Sequence, residues 1–167
     1  FPHIQSVADI GCGVGTWLFP FYQKGLQVKG VEGEWLPLEY LEIPVENVEK
    51  KDLNEPIHLG RQYDLAISLE VAEHLKPERA QGFVKDLCST SSLVLFSAAV
   101  PGQGGVDHIN EQWPSYWEAL FAGNGYRCLD IIRPRIWTDQ KIPVWYRQNA
   151  LLFASAELFS RLEAGQR

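Results

Sequence analysis

The sequence lacks the features that mark membrane, secreted and nucleic-acid-binding proteins. No run approaches the length of about 18 apolar residues that a membrane-spanning helix needs, and no basic and apolar leader opens the chain. There is also no lysine- or arginine-rich run to neutralise phosphates, and the net charge is −6. These absences favour a cytoplasmic protein that acts on small molecules, with neither nucleic acid nor membrane as a partner.

Cysteine is scarce as well. Its three positions, Cys12, Cys88 and Cys128, are scattered without metal-ligand spacing, which is typical of buried thiols in a reducing compartment. Internal repeats, low-complexity tracts and linkers are absent. A chain of 167 residues that is 46% hydrophobic is ample for one core. We therefore expect one domain over residues 1–167, in a monomer or homodimer.

The most informative segment is Val7–Trp17, with the sequence VADIGCGVGTW. An apolar run, an acid at Asp9 and three alternate glycines predict a strand that turns tightly into a helix. Glycines allow positive φ and let a ligand lie against the main chain, while the following helix points free amides towards it. The segment predicts a turn that binds a nucleoside cofactor.

This turn does not match the dinucleotide fingerprint. In Gly-x-Gly-x-x-Gly the third glycine would fall at Thr16, and the first strand normally carries no acid just before the turn. An NAD-linked oxidoreductase is therefore disfavoured, and it stays only as a minor alternative.

The pattern Asp9-x-Gly-x-Gly-x-Gly instead resembles the first motif of class I S-adenosylmethionine-dependent methyltransferases. The resemblance implies that the glycine loop runs alongside the methionine part of bound S-adenosylmethionine. It also implies that Asp9 helps to hold the loop.

A second strand is predicted at Gln27–Val31, and it ends at Glu32 about 20 residues past the first glycine. In a strand–helix–strand unit, an acid at this position meets the cofactor ribose. One carboxylate accepts from two vicinal hydroxyls, and such charge-assisted bonds contribute about 1.5 to 3 kcal/mol each. Glu32 is the predicted ribose ligand. The alternative is that Glu32, Glu34 and Glu39 form a solvated acidic surface.

Two further strands extend the resemblance. A short apolar stretch around Val45 and Val48 precedes Asp52, and Tyr63–Leu69 has the near-continuous apolar character of a buried parallel strand. The resemblance implies that Asp52 receives the adenine amino group and that the end of the fourth strand faces the reacting methyl. The segment LEVAEHL at 69–75 is similar to the small-molecule branch of the family, including ubiquinone-biosynthesis O-methyltransferases. The resemblance thus spans residues 7 to about 99.

The complete predicted cofactor site follows from these segments. Its members are Asp9, Gly11, Cys12, Gly13, Gly15, Trp17, Glu32, Gly33, Asp52, Leu53, Ser68, Leu69 and Glu70.

The rest of the chain continues the alternation of strands and helices. The predicted elements are a helix from Pro77 to about Cys88, a strand at 92–99, a helix at 113–123, strands at 127–132 and 148–154, and a helix from about Ala156. The alternation predicts an α/β fold class, a Rossmann-like, doubly wound, seven-stranded, mostly parallel sheet with helices on both faces, and the resemblance implies that the last strand is antiparallel. The family usually carries a helical segment ahead of the first strand. Because only six residues precede that strand here, we expect this segment to be missing.

Two histidines are candidate general bases for methyl transfer to a protonated acceptor. His108 lies in the glycine-rich segment 100–113, which follows the fifth strand at the edge where ligands bind in open α/β sheets. It is the leading candidate, although it could instead only cap or pack a helix entry. His74 is the second candidate.

His74 also belongs to a potential metal site. In a helical turn, Glu70, Glu73 and His74 would share one face, and the resemblance to ubiquinone-biosynthesis enzymes implies that such a face can hold a divalent ion. The alternative, which we favour, is that Glu73 caps a helix start and His74 packs near the methionine end of the cofactor.

Aromatic and basic residues concentrate in the last third of the chain. Trp113, Trp117 and Phe121 recur every four residues and predict a core stripe. The connection at 134–147, with Trp137, Trp145 and Tyr146, could line a pocket. Local basic residues hint at an anionic acceptor, although we favour the alternative of solvated surface residues; they are Arg133, Arg135, Lys141 and Arg147.

The sequence thus predicts a methyltransferase that moves a methyl group from S-adenosylmethionine to an oxygen or nitrogen of a small molecule, such as a sugar or natural-product intermediate. The alternative from another class is a non-catalytic, methyltransferase-like module that only binds the cofactor.

Overall fold

The computed structural model describes residues 4–165, which form a seven-stranded sheet with helices on both faces. The strands are β1 (Ser6–Ile10), β2 (Gln27–Glu32), β3 (Val48–Lys50), β4 (Leu65–Leu69), β5 (Leu93–Ser97), β6 (Tyr126–Leu129) and β7 (Leu151–Ser155). The helices are α1 (Phe19–Gln23), α2 (Ala80–Thr90), α3 (Pro114–Gly123), α4 (Arg133–Ile136), α5 (Val144–Asn149) and α6 (Ala156–Gly165).

The strand order is β3-β2-β1-β4-β5-β7-β6, and among the strands of residues 4–165 only β7 runs opposite to the other six. The order reverses between β1 and β4, which lie side by side in the centre of the sheet. Ligands of open α/β sheets bind beyond the carboxyl ends of the strands at such a switch point. The predicted Rossmann-like fold with an antiparallel last strand is confirmed.

Each face of the sheet has its own apolar core. On one face, Phe121 of α3 stacks on Phe153 of β7 with ring centroids 3.9 Å apart, and Trp117 packs against Phe96 at 5.2 Å. The other face buries Leu18 against β1 and β4. Continuous burial of β1 and β4 explains why these strands are mostly apolar rather than alternating.

Several predicted boundaries need correction near the end of the chain. The strand predicted at 148–154 begins only at Leu151, because Pro143 opens α5 and the helix continues to Asn149. The strand predicted at 127–132 ends at Leu129, where Asp130 turns the chain by pairing with Arg133. The core stripe is also wrong at one position. Trp113 precedes α3 and is 58% exposed, whereas its predicted partners in the stripe are buried.

None of the helices within residues 4–165 is long and apolar enough to cross a membrane.

Candidate functional site

A cavity of about 860 Å³ opens at the carboxyl ends of the strands beside the switch point. Its size suits a ligand of cofactor or drug dimensions. Seven residues of the predicted cofactor site lie on its wall, and they come from four separate connections. These residues are Gly11, Gly13, Glu32, Gly33, Asp52, Leu53 and Glu70.

The glycine loop after β1 needs glycine for two different reasons. Gly11, Gly13 and Gly15 all have positive φ, at 87°, 52° and 91°. A Cβ atom on Gly11 would lie 2.3 Å from a methyl group of Val71, so packing alone excludes a side chain there. A Cβ on Gly13 would meet nothing within 4 Å, so its backbone faces open space at the cavity. A ligand can therefore approach the main chain directly at Gly13.

Glu32 connects the end of β2 to this loop. Its side chain is buried, its Oε2 accepts from the Gly13 amide at 2.8 Å, and its Oε1 accepts from the Gly33 amide at 2.7 Å. A carboxylate has about four lone-pair positions, so two remain for hydroxyl donors. Glu34 and Glu39, in contrast, are exposed. The interpretation of all three as one solvated surface is therefore wrong for Glu32.

Asp9, a predicted member of the cofactor site, does not reach the cavity. It is buried within β1, and its Oδ2 has no hydrogen-bond partner among residues 4–165. Burial, reinforced by the charge of Glu32, raises the pKa of Asp9 to about 8. The side chain that visibly bonds the loop is Glu32.

Five other predicted cofactor residues do not reach the cavity wall: Cys12, Gly15, Trp17, Ser68 and Leu69. The Cys12 thiol is buried, and burial raises its pKa far above the usual range. Ser68 is fully buried in β4, because its side chain points into the sheet packing rather than beyond the strand end. Trp17 packs edge-on against Tyr146, with ring centroids 5.1 Å apart.

Asp52 also lines the cavity. Its Oδ1 accepts from the backbone and side-chain amides of Asn54, at 2.9 and 3.1 Å, and these bonds lower its pKa. The loop is fixed from below by the buried Arg79. That guanidinium donates to the Leu53 carbonyl at 3.0 Å and pairs with Asp86 of α2.

Glu70, at the end of β4, is held by a hydrogen-bond network that the sequence did not reveal. It adopts a left-handed backbone with φ of 56°, which is uncommon for a residue with a side chain. Its carboxylate accepts from Gln103 Nε2 at 2.7 Å and faces Asn149 Nδ2 at 3.4 Å. The Asn149 amide also donates to Gln103 Oε1 at 2.8 Å. No local spacing connects these three residues, since they follow three different strands or helices.

Glu73 and the two candidate histidines lie together. A ligand atom from each of Glu73, His74 and His108 falls within 4.8 Å of the other two, and the imidazole rings meet edge to face at 4.8 Å. Glu73 is fully buried, and both of its carboxylate oxygens lack a hydrogen-bond partner within the described chain. Burial, reinforced by the charge of Glu70, raises its pKa to about 7. The structure thus brings His108 to Glu73 and His74 from a separate loop, a proximity that the sequence did not predict.

Two expectations about this cluster are wrong. Glu70, Glu73 and His74 do not share one helical face, because Glu70 is left-handed and only residues 72–74 form a short 3₁₀ turn. Glu73 does not cap a helix, because its carboxylate makes no such bond. The group that could hold a divalent ion is Glu73, His74 and His108, a mixed oxygen and imidazole set that suits a transition ion or Mg²⁺.

The two histidines differ in what they face. His74 lines the cavity. His108 is half-buried behind it, with Nδ1 at 3.0 Å from Glu111 Oε1 and Nε2 against Gly105. Glu111 also accepts from the amides of Gly102 and Gly104, and these bonds lower its pKa. His108 and Glu111 together fix the glycine-rich loop after β5.

The basic residues predicted to attract an anionic acceptor line neither described cavity. Arg133 pairs with Asp130, and Arg135 and Arg147 donate to the carbonyls of Ile131 and Trp137. Trp137 and Tyr146, predicted as pocket residues, are also absent from both linings, whereas Trp145 lines the smaller one.

Comparisons with known proteins agree with this geometry. The family model described as a methyltransferase domain matches residues 4–131. DesVI of Streptomyces venezuelae shares the fold with a TM-score of 0.69 at 15% identity, over 93% of this chain and 85% of its own. Magnesium protoporphyrin IX methyltransferase of Synechocystis, solved with bound S-adenosylmethionine, has a TM-score of 0.65 at 21% identity, over 92% and 71%. A SAM-dependent methyltransferase of Archaeoglobus fulgidus has a TM-score of 0.64 at 18% identity, over 92% and 87%. No curated protein matches the sequence.

Proposed function

The chain belongs to the methyltransferase domain family, and we propose that it transfers a methyl group from S-adenosylmethionine to an oxygen or nitrogen of a small-molecule acceptor. The prediction of a class I methyltransferase that uses this cofactor is confirmed by the family match and the fold. The acceptor class and the roles of individual residues are the proposal.

One observation carries the proposal. The open backbone at Gly13 and the carboxylate of Glu32 are joined by a hydrogen bond and face the same cavity, which Asp52 also lines. This arrangement fits an adenosyl ligand. Glu32 would hold the ribose hydroxyls, Asp52 and Leu53 the adenine, and the backbone at Gly11 and Gly13 the methionine part. When bound, S-adenosylmethionine supplies a methyl group already activated on a sulfonium.

The protein itself has to align the acceptor and exclude water. Holding the reacting atoms in line can lower the barrier by about 7 to 11 kcal/mol through lost translational and rotational freedom. A protonated acceptor such as an alcohol also needs a base within hydrogen-bond reach. His74 suits this role because it lines the cavity, and Glu73 and His108 pack beside it. We therefore assign His74 to proton acceptance and His108 to positioning, which reverses the order that the sequence suggested.

A small-molecule acceptor is supported by charge and by the cavity. The net charge of −6 opposes a phosphate backbone, and the residues around the cavity include five carboxylates that would repel one. These carboxylates belong to Glu32, Glu34, Asp52, Glu70 and Asp107.

Isothermal titration with S-adenosylmethionine tests the cofactor site. We expect Glu32→Ala to weaken binding by about tenfold or more, because charge-assisted bonds to the ribose are lost. Glu32→Gln should retain part of the affinity, since its amide oxygen still accepts hydrogen bonds. Glu39→Ala is the matched control, because Glu39 is exposed and lies outside the cavity lining. Unchanged affinity in Glu32→Ala would remove Glu32 from the site.

Release of S-adenosylhomocysteine tests catalysis separately from binding. The wild type is expected to release it when supplied with a pool of small acceptors from cell extract. Tight cofactor binding without release from any pool would instead support the non-catalytic module.

A further inference from the structure

A second groove opens beside the candidate site, with a volume of about 350 Å³. One wall is Trp113, just before α3, and the other is Trp145 of α5, with Gln148 beside it. The floor is Val100, Pro101 and Gln103, which follow β5. From these features we propose that the groove binds an uncharged aromatic ring of the methyl acceptor. The proposal rests on the proposed function and specifies its acceptor.

The first argument is exposure. Trp113 is 58% exposed and Trp145 is 41% exposed, although each indole would gain free energy by burial. Two large aromatic side chains facing one groove mark a ligand or partner surface more often than isolated exposed residues do.

The second argument is charge. The chain is 22% charged, yet none of the described residues that line this groove has an ionisable side chain. A carboxylate or phosphate would lose its hydration there without gaining a partner. A sugar ring would need many hydrogen bonds, whereas the groove offers only the side-chain amides of Gln103 and Gln148 and a short run of backbone. A flat aromatic ring can pack against the two indole rings and needs few polar contacts.

The third argument is continuity with the candidate site. Gln103 lines the groove, and its amide donates to Glu70, which lines the larger cavity. The two spaces are therefore separated by about one side chain. A ring in the groove could present a substituent towards the cavity where the methyl group is transferred.

Both walls of the groove are also held by hydrogen bonds that lead to residues of the candidate site, so the groove is preformed. The α5 wall is held by Asn149, which is buried and donates to Gln103. The other wall is held by Gln112, which precedes Trp113 and donates to Asn110 at 3.2 Å. The backbone N–H of Asn110 in turn donates to the backbone carbonyl of Glu73 at 3.0 Å.

Indole N–H signals in a proton–nitrogen NMR spectrum provide a direct test. The six tryptophans each give one such signal, and the variants Trp113→Phe, Trp145→Phe and Trp137→Phe assign three of them. We propose titrating 4-hydroxybenzamide into the protein saturated with S-adenosylhomocysteine, with methyl glucoside and 4-hydroxybenzoate as comparison probes. Trp137 is the matched control, since it is 57% exposed but lies outside both cavities.

We expect 4-hydroxybenzamide to shift the signals of Trp113 and Trp145 in a saturable way and to leave Trp137 unchanged. The benzoate should bind at least fivefold more weakly. Equal shifts at Trp137, no shifts at all, or stronger binding of the glucoside or benzoate would overturn the proposal. Shifts that follow protein concentration instead of probe concentration would assign the groove to a second copy of the chain and would also overturn it.

The result of the groove experiment can be distinguished from the result of the test of the proposed function. The shifts report binding in the groove without turnover, whereas cofactor affinity is measured by titration at Glu32. As a second measurement, Trp145→Ala should raise the concentration of 4-hydroxybenzamide needed for half-saturation by at least fivefold while Trp137→Ala leaves it unchanged. An unchanged value in Trp145→Ala would again contradict the assignment.

Discussion

Replacing Asp9 by asparagine should make the stability of the protein less dependent on pH. Asp9 is buried in the centre of the sheet, and burial together with the charge of Glu32 raises its pKa to about 8. In the unfolded chain the same carboxyl loses its proton near pH 4. Between these values the folded state holds one proton more than the unfolded state. Stability must therefore fall as the pH rises through this window.

The magnitude follows from the proton count. One proton of difference corresponds to about 1.4 kcal/mol per pH unit, so from pH 5 to pH 7 the wild type should lose up to about 2.7 kcal/mol that the variant keeps. The contribution of Asp9 is fully present below about pH 4 and is lost as the pH approaches about 8. Domains typically have about 5 to 15 kcal/mol of stability in total, so the difference is well within measurement.

The assay is urea unfolding of the protein without cofactor, monitored by circular dichroism at pH 5, 6 and 7. The quantity of interest is the difference between Asp9→Asn and the wild type, because other titrating groups such as Glu73 are present in both. Asp107→Asn is the control, since Asp107 is exposed and its left-handed backbone accommodates asparagine. Parallel stability curves for the Asp9 variant and the wild type would refute the reasoning, as would a difference that shrinks with rising pH.

Three further predictions concern the loop and the cluster. Gly11→Ala should lower the free energy of unfolding by several kcal/mol in urea titrations, because it combines positive φ with a clash between the new Cβ and Val71. Gly25 is the control, since it has a φ of 78° but no neighbour within 4 Å, and Gly25→Ala should lower the free energy of unfolding by only about 1 to 2 kcal/mol. Equal losses in the two variants would contradict the clash. His74→Gln should lower turnover by about 100-fold or more at unchanged cofactor affinity, and His108→Gln should lower it less; the reverse order would restore His108 as the base. Activity should survive exhaustive chelation, and a loss that Mg²⁺ or Mn²⁺ reverses would assign an ion to the cluster.

The glycine turn and Glu32 could be predicted from the sequence because local constraints determine both. Positive φ at alternate positions requires glycine, and a strand of fixed length places the next acid beside the turn. Asp52 was placed by the resemblance to the methyltransferase family. The alternation of apolar segments predicted the order of the strands, whereas the antiparallel last strand also came from the resemblance, and the short helices α4 and α5 were not predicted.

The cluster around Glu73 could be predicted only in part, because it depends on contacts between distant segments. Helical spacing suggested that Glu70 would accompany Glu73, but the left-handed turn at Glu70 directs its carboxylate towards Gln103 and Asn149. His108 reaches Glu73 from another loop. Contacts of this kind depend on how the loops after β4 and β5 pack against each other, and the periodicity of apolar residues carries no information about loop packing.

The strained backbone at Glu70 has a consequence for protein engineering. A residue with a side chain in this conformation destabilises the fold by about 1 to 3 kcal/mol, a cost that glycine would not incur. Glycine would also remove the only carboxylate that engages both the Gln103 and Asn149 amides within residues 4–165. The substitution Glu70→Gly thus exchanges relief of backbone strain for the loss of these two hydrogen bonds at the cavity wall, so stability screens at this position need a simultaneous readout of turnover.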